Sequence, residues 1–258
     1  MASKQLLSIR PKKHLGQHFL INETACQRIA DAIPRENQFP IIEIGPGTGA
    51  LTRFLLRLNR PLTVVEYDIE AIQFLNKNYP LKFNIIHDDV LKTDWHQFGN
   101  QFNLAGNLPY NISTQVLFKV FENRNNALCC VFMLQKEVAE RLASPPGYRQ
   151  YGILSVLLQA FYNIELLFTL SPSDFYPPPE VHSSVIKMNR NAVKHLNCDE
   201  KKFITMVKTA FNQRRKKLSN ALKSLIFEWP AEADFRNARA EELSWQDFEK
   251  LTSLTEKK

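Results

Sequence analysis

The stretch AGNLPYNIS, residues 105–113, follows an apolar run with residues whose types could do chemistry. The Asn107 side chain and the Leu108 carbonyl are hydrogen-bond acceptors at the start of a turn that Pro109 stiffens. The ring of Tyr110 offers a flat surface for stacking. This combination is typical of an edge that holds a flat, polar ligand, although an ordinary turn with a covering tyrosine fits the stretch alone about equally well.

A glycine-rich segment lies further toward the N-terminus, in EIGPGTGALT. Gly45, Gly47 and Gly49 follow a predicted strand and precede a predicted helix, where glycine lets the backbone approach a ligand closely. Their spacing is G-x-G-x-G and departs from the G-x-G-x-x-G of dinucleotide-binding folds. The departure favours S-adenosylmethionine over a dinucleotide as the cofactor.

Acidic residues end the next two predicted strands. Glu66 in VVEYD lies about 20 residues beyond the glycine loop, the offset at which an acid accepts hydrogen bonds from ribose hydroxyls. In IIHDDV, Asp88 or Asp89 is placed to hold the adenine amino group of the cofactor. Each acid alone fits a solvated strand end better than a ligand contact. Suitable groups at successive strand ends make the stronger case for a cofactor site.

The AGNLPYNIS turn falls at the end of the fourth predicted strand, on the same edge. Adenine N6 is a poor nucleophile because its lone pair is delocalised, so two acceptors such as Asn107 and Leu108 would draw it toward tetrahedral geometry, with the base stacked on Tyr110. Phe175 in DFYPPP would supply a second stacking surface, although aromatics covering the core fit that loop equally well. No role follows from the sequence for Asn111.

Short apolar runs alternate with amphipathic stretches along roughly the first three quarters of the chain, and this pattern predicts the strands and helices that position these residues. Predicted strands are FPIIEI, LTVVEYD, KFNIIHDD, FNLAGN and ALCCVFML, and predicted helices are ALTRFLLRL, EAIQFLNKNY and STQVLFKVFE. This alternation predicts an α/β fold with a parallel sheet covered by helices. From about Asn191 the pattern becomes helical throughout, which predicts two domains, 1–190 and 191–258. The helical stripe is Phe203, Val207, Phe211, Leu218, Leu222 and Leu225.

Basic residues exceed acidic ones, 33 against 26, and they cluster. No carboxylate occurs between Lys201 and Lys223, and an N-terminal arm with Lys4 and Lys12 precedes the first acid, Glu23. A solvated helix face is the alternative, but unmixed positive charge favours a nucleic-acid partner. The candidate nucleic-acid-binding residues are Arg214, Arg215, Lys216 and Lys217.

Four cysteines without C-x-x-C spacing predict reduced thiols and no metal site. The longest strongly apolar stretch, ALCCVFML, is too short to span a bilayer, and the N-terminus lacks a long apolar segment. The sequence therefore predicts a cytoplasmic protein without a membrane partner.

Seven segments in order resemble the bacterial small-subunit ribosomal RNA adenine N6-dimethyltransferases. They are KKHLGQHFL, EIGPGTGALT, VVEYD, NLPYNIST, MLQKEVAERL, SPSDFYPPPEVHSSV and FNQRRKKLSNAL. The resemblance implies a Rossmann-like class I methyltransferase sheet with a small all-helical C-terminal domain. It also implies an S-adenosylmethionine-dependent enzyme that dimethylates two adjacent adenosines near the 3′ end of 16S rRNA.

The resemblance also implies a role for each site residue. His18 and Leu20 would close over the cofactor, with His18 standing where many members carry asparagine. Gly45 would meet its methionine part, Glu66 its ribose and Asp89 its adenine amino group. The catalytic positions are Asn107, which also contacts the cofactor, with Leu108, Tyr110 and, flanking the target base, Phe175.

The expected partner is 16S rRNA within an immature small ribosomal subunit, bound by a monomeric chain that also contributes to subunit biogenesis. Three rivals stay open: the related large-subunit rRNA methyltransferase of antibiotic resistance, a DNA adenine methyltransferase, and a non-catalytic assembly or transcription factor. NLPYNIST and FNQRRKKL fit the small-subunit group better than the large-subunit one. The C-terminal part is small for a DNA-reading domain.

Overall fold

The computed structural model describes residues 9–225, 229 and 235–256. Lys4 of the predicted basic arm lies outside them. By its internal contacts the chain forms two compact units, the first made of Met1–Ala139 and Glu165–Arg190 and the second of Glu140–Ile164 and Asn191–Lys258. The division at residue 190 stays a prediction, and the second unit takes in a segment, 140–164, that the sequence pattern did not separate.

Strands in the described residues form a two-stranded and a seven-stranded sheet. They are β1 (Phe19–Leu20), β2 (Ile41–Ile44), β3 (Leu62–Glu66), β4 (Asn84–His87), β5 (Phe102–Asn107), β6 (Ala127–Gln135), β7 (Tyr162–Leu170), β8 (Phe175–Tyr176) and β9 (Ser183–Arg190). The large sheet has the order β4-β3-β2-β5-β6-β9-β7, and β1 pairs with β8 in the small one.

Helices lie in several of the connections between the strands and in the second unit. They are α1 (Glu23–Asp31), α2 (Thr52–Leu55), α3 (Ile69–Asn78), α4 (Ser113–Glu122), α5 (Lys136–Ala143), α6 (Ile153–Gln159), α7 (Glu200–Asn212), α8 (Leu218–Ala221) and α9 (Trp245–Glu256). Short 3-10 turns lie at Lys13–Leu15, Leu56–Leu58, Trp95–Phe98, Pro172–Asp174 and Ala240–Glu242.

The five predicted strands are confirmed as β2 to β6, and they run parallel to one another. All four residues of β2 are buried, as are the first five of β5. Strands buried on both faces read as continuous apolar runs, which explains why the sequence predicted them well. Their parallel direction brings the ends of β2, β3, β4 and β5 to one edge of the sheet.

Two further strands close the far side of the sheet, and the sequence pattern did not predict them. β9 pairs antiparallel with β6, with Met133 opposite Val185. β7 lies outside β9 and is mostly half-buried or exposed, so its apolar signal is weak. β9 was not predicted because it follows a proline cluster, and prolines normally argue against a strand.

The predicted helical stripe of the C-terminal segment is largely buried in the second unit. Phe203 and Val207 of α7 and Leu218 and Leu222 around α8 are 0% exposed. Asp199 begins α7 by accepting a hydrogen bond from the Lys202 amide at 2.9 Å, as an N-cap does. Leu225 lies beyond the end of α8 and is 39% exposed, so the stripe ends before it.

Candidate active site

A cavity of about 290 Å³ opens where the strand order reverses, between β2 and β5. Open α/β sheets bind ligands at this point, outside the carboxyl ends of the strands. Seven of the nine predicted cofactor-binding and catalytic residues line it: His18, Gly45, Glu66, Asp89, Asn107, Leu108 and Tyr110. The structure therefore brings together one site from four successive strand ends and the segment before β1.

The glycine loop after β2 needs the conformational freedom that its sequence predicts. Gly45 and Gly47 have φ of +66° and +52°, the left-handed region that favours glycine. A Cβ on Gly47 would lie 2.9 Å from the Phe19 ring, so the loop also packs too closely for a side chain. The result is a backbone cradle at the floor of the cavity.

Glu66, the last residue of β3, is held in place by backbone amides. Its Oε1 accepts from the amides of Tyr67 and Asp68 at 2.9 and 2.8 Å. Its Oε2 accepts from the Gly47 amide at 3.0 Å. Burial raises the pKa of Glu66, and the three amides act in the opposite direction. A carboxylate has about four acceptor sites, so capacity remains for a ribose hydroxyl.

Asp88 and Asp89 after β4 both line the cavity but have different partners. Asp88 uses both of its oxygens within the loop, accepting from the Asp89 amide at 2.8 Å and from the Thr93 hydroxyl at 2.9 Å. Asp89 Oδ1 accepts from the Leu91 amide at 2.9 Å, and its Oδ2 has no protein partner among the described residues. This geometry favours Asp89 as the acid that accepts an amino group.

The Asn107 side chain at the end of β5 is oriented by the segment before β1. Its Nδ2 donates to the His18 carbonyl oxygen at 2.8 Å. With the amino end of the amide committed, Oδ1 is the end left to accept a hydrogen bond. The neighbouring Leu108 is 1% exposed and its amide donates to Met133 O at 3.1 Å, which fixes the backbone that follows.

Tyr110 is held at its hydroxyl and on one face of its ring. The hydroxyl shares a hydrogen bond with the Ser183 hydroxyl, and the His18 ring stacks with its centroid 5.5 Å away at 25°. Burial raises the pKa of Tyr110 above its ordinary value, and the Ser183 bond opposes this. The phenol is therefore neutral at physiological pH and can offer a ring without acting as a base.

His18 links three parts of the site. Besides its contacts with Asn107 and Tyr110, its Nδ1–H donates to the Pro177 carbonyl at 2.8 Å. A donor at Nδ1 fixes the tautomer when the ring is neutral. The side chain thus lies against the aromatic ring of the turn, a placement that the expected cofactor contact did not include.

Leu20 and Phe175 do not line the cavity. They are opposite each other in the small β1–β8 sheet, are each 3% exposed, and belong to the hydrophobic core. Tyr176 pairs with Phe19 on the other face of that sheet and is 43% exposed. The predicted stacking role of Phe175 stays a prediction, since its ring is covered in this conformation.

Two sets of contacts at the site escaped sequence reasoning. Asp68 accepts from Lys12 Nζ at 2.5 Å and from Gln17 Nε2 at 3.0 Å, which ties the basic arm to the residue next to the Glu66 loop. Burial opposes ionisation, but these bonds prevail and lower the pKa of Asp68. Asn111 packs against Gly16, where a Cβ would lie 2.8 Å from Asn111 Oδ1. The segment before β1 therefore contacts Asp68, two residues after Glu66, and Asn111, in the turn after β5.

The predicted RNA-binding residues follow α7 in the second unit and differ among themselves. Arg214 Nη2 donates to Arg149 O at 2.6 Å, and its Nε lies 3.4 Å from Glu241 Oε2. Arg215 and Lys216 are exposed, as is Lys217, whose Nζ donates to Asn237 at 3.2 Å. Side chains available for phosphate contacts are therefore mainly those after Arg214.

Within the described ranges, no group of three or more histidine, cysteine or acidic side chains is arranged to hold a metal ion. Cys26, Cys129 and Cys130 are buried free thiols, and Cys198 is partly buried. No helix of the described chain is both long and apolar enough to cross a membrane.

Counted from β2, the large sheet has the order 3-2-1-4-5-7-6 with an antiparallel seventh strand. Together with the glycine loop and the strand-end acids, this defines a Rossmann-like class I S-adenosylmethionine-dependent methyltransferase. The model of the family described as ribosomal RNA adenine dimethylase matches residues 9–254. The chain belongs to this family.

Relatives agree with that membership, and solved structures share the fold. Proteins named ribosomal RNA small subunit methyltransferase A from Parabacteroides distasonis and Bacteroides thetaiotaomicron are 52% and 49% identical, covering 96% of this chain and 95% of each relative. A dimethyladenosine transferase from Plasmodium falciparum has a similar fold, with a TM-score of 0.77 at 24% identity over 91% of this chain and 96% of that one. The 23S rRNA methyltransferase ErmE gives 0.71 at 21% identity over 91% and 99%.

Proposed function

We propose that this chain transfers methyl groups from S-adenosylmethionine to N6 of two adjacent adenosines near the 3′ end of 16S rRNA, giving N6,N6-dimethyladenosines. The observation that carries the proposal is the oriented amide of Asn107, whose Nδ2 is committed to His18 O and whose Oδ1 is left to accept from an amino group. This acceptor lies in the same cavity as Glu66 and Asp89. The family and the names of its relatives support the substrate class.

The cavity residues fit the cofactor. Gly45 and the cradle beside it would receive the methionine part, because Gly45 and Gly47 line the cavity with backbone that carries no side chain. Glu66 would accept from ribose hydroxyls, and Asp89 Oδ2 from the adenine amino group. His18 would cover the bound cofactor with its backbone, and Leu20 would support that cover from the core. When bound, S-adenosylmethionine supplies an electrophilic methyl group.

The chain's own residues would prepare the target nitrogen. Asn107 Oδ1 and the Leu108 carbonyl accept from the two N–H groups of adenine N6, which localises the lone pair on the nitrogen. The neutral ring of Tyr110 would stack on the base, and Phe175, which is 3% exposed in this conformation, would flank the base once its ring is uncovered. No strong base is required, since the nitrogen becomes acidic once it carries the new methyl group and its proton passes to water.

The proposed substrate form is an immature small subunit, bound by a monomer in the cytoplasm. Arg215, Lys216 and Lys217 would contact phosphates, with Arg214 beside them, so affinity should fall as salt rises. A second role in subunit biogenesis follows if binding and chemistry can be separated. An Asn107→Ala chain that still binds immature subunits and delays their maturation would have the second role without the first.

Labelled methyl transfer to small subunits from cells lacking the modification tests the activity. Asn107→Ala should abolish most transfer while leaving subunit binding intact. Asn100→Ala, an exposed asparagine two residues before the start of the same strand, is the matched control and should transfer normally. Normal dimethylation by Asn107→Ala would refute the mechanism, and a modified base mapped to large-subunit rRNA would refute the substrate.

A further inference from the structure

The loop between α5 and α6 carries two tyrosines in opposite environments. Tyr151 is 0% exposed and packs with its ring centroid 6.2 Å from that of Phe211. Tyr148, three residues earlier, is 60% exposed. The loop therefore uses one aromatic side chain to anchor itself in the second unit and leaves the other in water.

Exposure of Tyr148 does not come from a loose loop. The Gly147 amide donates to the Glu241 carbonyl at 2.7 Å, and Arg214 Nη2 donates to the Arg149 carbonyl at 2.6 Å. The Tyr148 backbone is thus held by a hydrogen bond on each side. A large ring on a fixed backbone binds a ligand with little loss of conformational entropy, which is the property expected of a recognition residue.

Arg214 is committed to this loop. Its side chain is 34% exposed, and the guanidinium lies between the Arg149 carbonyl and the Glu241 carboxylate, 3.4 Å from the latter. Its bond to Arg149 O places the loop beside the exposed basic residues Arg215 and Lys216. Arg214 is therefore better placed to position the loop than to neutralise a phosphate.

An exposed aromatic ring beside exposed positive charges, here Arg149, Arg215 and Lys216, is the arrangement that proteins use for single-stranded nucleic acid. We propose that Tyr148 is a stacking platform for an unpaired base of the ribosomal RNA, that Arg149 contacts the adjoining phosphate, and that Arg214 is the positioning residue of this surface. The inference rests on the proposed function for the identity of its RNA. It adds a contact surface outside the methyl-transfer cavity.

Binding of the full chain to small subunits lacking the modification, measured over a salt series, tests the surface. Tyr148→Ala should weaken binding roughly fivefold or more, and Tyr148→Phe should not, because the ring alone stacks. Neither should change the salt dependence. Arg149→Gln should lower the slope of log affinity against log salt by about 0.7 to 0.9, the contribution of one phosphate contact. Unchanged affinity of Tyr148→Ala would overturn the proposal.

The role of Arg214 is tested by a double-mutant cycle. Arg214→Gln should weaken binding in the wild-type background and have little further effect when Tyr148 is already alanine, because both act through one loop. Full additivity would overturn the positioning role. Thermal unfolding should stay the same for all Tyr148 variants, since the side chain is exposed.

A photo-crosslinking residue at position 148 identifies the partner directly. Attachment to small-subunit rRNA supports the surface, and attachment only to a ribosomal protein overturns it. Methyl transfer by the wild-type chain is measured in parallel. If the wild-type chain methylates 16S rRNA but Tyr148→Ala binds normally, this inference alone fails, whereas a wild-type chain without transfer would refute the proposed function itself.

Discussion

Glu43, in the middle of β2, is a carboxyl group that neither the cofactor nor the target base requires. It is 1% exposed, and its Oε2 accepts from the Thr52 hydroxyl at 2.6 Å. Burial is the largest cause that raises the pKa of Glu43 to about 8, with the Glu66 carboxylate adding to it and the Thr52 bond opposing it. The folded chain therefore keeps this proton at pH values where the unfolded chain, with an ordinary glutamate, has lost it.

The stability of the first unit should consequently fall as pH rises. Below an ordinary glutamate pKa of 4.5 both states are protonated, and between 4.5 and about 8 only the folded state is. Each pH unit in this window lowers the free energy of unfolding by at most about 1.4 kcal/mol. The whole window is worth no more than about 5 kcal/mol. Above about pH 8 the contribution is lost and the effect levels off.

Glu43→Gln should remove this dependence, because an amide cannot ionise and still offers Thr52 an acceptor oxygen. Its added N–H, buried without a designed partner, should cost about 1 to 3 kcal/mol at every pH. The variant should thus be less stable than wild type near pH 5 and regain stability relative to it as pH rises to 8. The sign of the difference between pH 5 and pH 8 is the prediction.

Urea unfolding from pH 5 to 8 measures the effect, with a probe confined to the first unit. The chain has three tryptophans, so a Trp229→Phe and Trp245→Phe background leaves Trp95, which is 2% exposed, as the sole reporter. Glu165→Gln, an exposed glutamate on β7, is the matched control and should change nothing. Parallel pH profiles for wild type and Glu43→Gln would refute the reasoning, since they would mean that Glu43 is ionised in the folded core.

Two further predictions concern the cavity. His18→Asn keeps a donor for Pro177 O but removes the ring that stacks on Tyr110, so methyl transfer should fall by roughly 2- to 10-fold, with cofactor affinity by calorimetry nearly unchanged. His18→Phe keeps the ring and loses the donor, so its methyl transfer should fall less. Loss of cofactor affinity in both variants would contradict the stacking role. Asp89→Asn should weaken cofactor binding by about 10-fold or more, whereas Asp88→Asn should mainly lower the unfolding temperature. Equal losses of cofactor affinity in the two aspartate variants would contradict the assignment to Asp89.

Sequence alone could predict the parts of this molecule that local pattern determines. The strands β2, β3, β5 and β6 are largely buried and read as mainly apolar runs, whereas β4 is half-buried and is marked only by its two central isoleucines. The polar residues at the strand ends can also be recognised in the sequence, because each apolar run stops where the chain reaches the cavity. The positions of Gly45, Glu66 and Asn107 along one edge follow directly from parallel strands.

Other features depend on contacts between distant segments and left no local signal. Lys12 and Asp68 are 56 positions apart, and each alone reads as an ordinary charged surface residue. Arg214 was predicted only as one member of a basic run, because the sequence does not show that its side chain donates to a carbonyl 65 positions away. Phe175 carries the family motif, yet its burial depends on the pairing of β1 with β8, which no periodicity in two-residue strands can reveal.

The contacts of His18 join the cofactor side of the cavity to the base side. Its carbonyl fixes the Asn107 amide, its ring lies on Tyr110, and its Nδ1 holds Pro177. Any displacement of the segment before β1 would therefore release the Asn107 amide to rotate and would uncover Tyr110 at the same time. Since that segment is also expected to cover the cofactor, correct placement of the acceptor for adenine N6 should depend on the same residues that close the cofactor site.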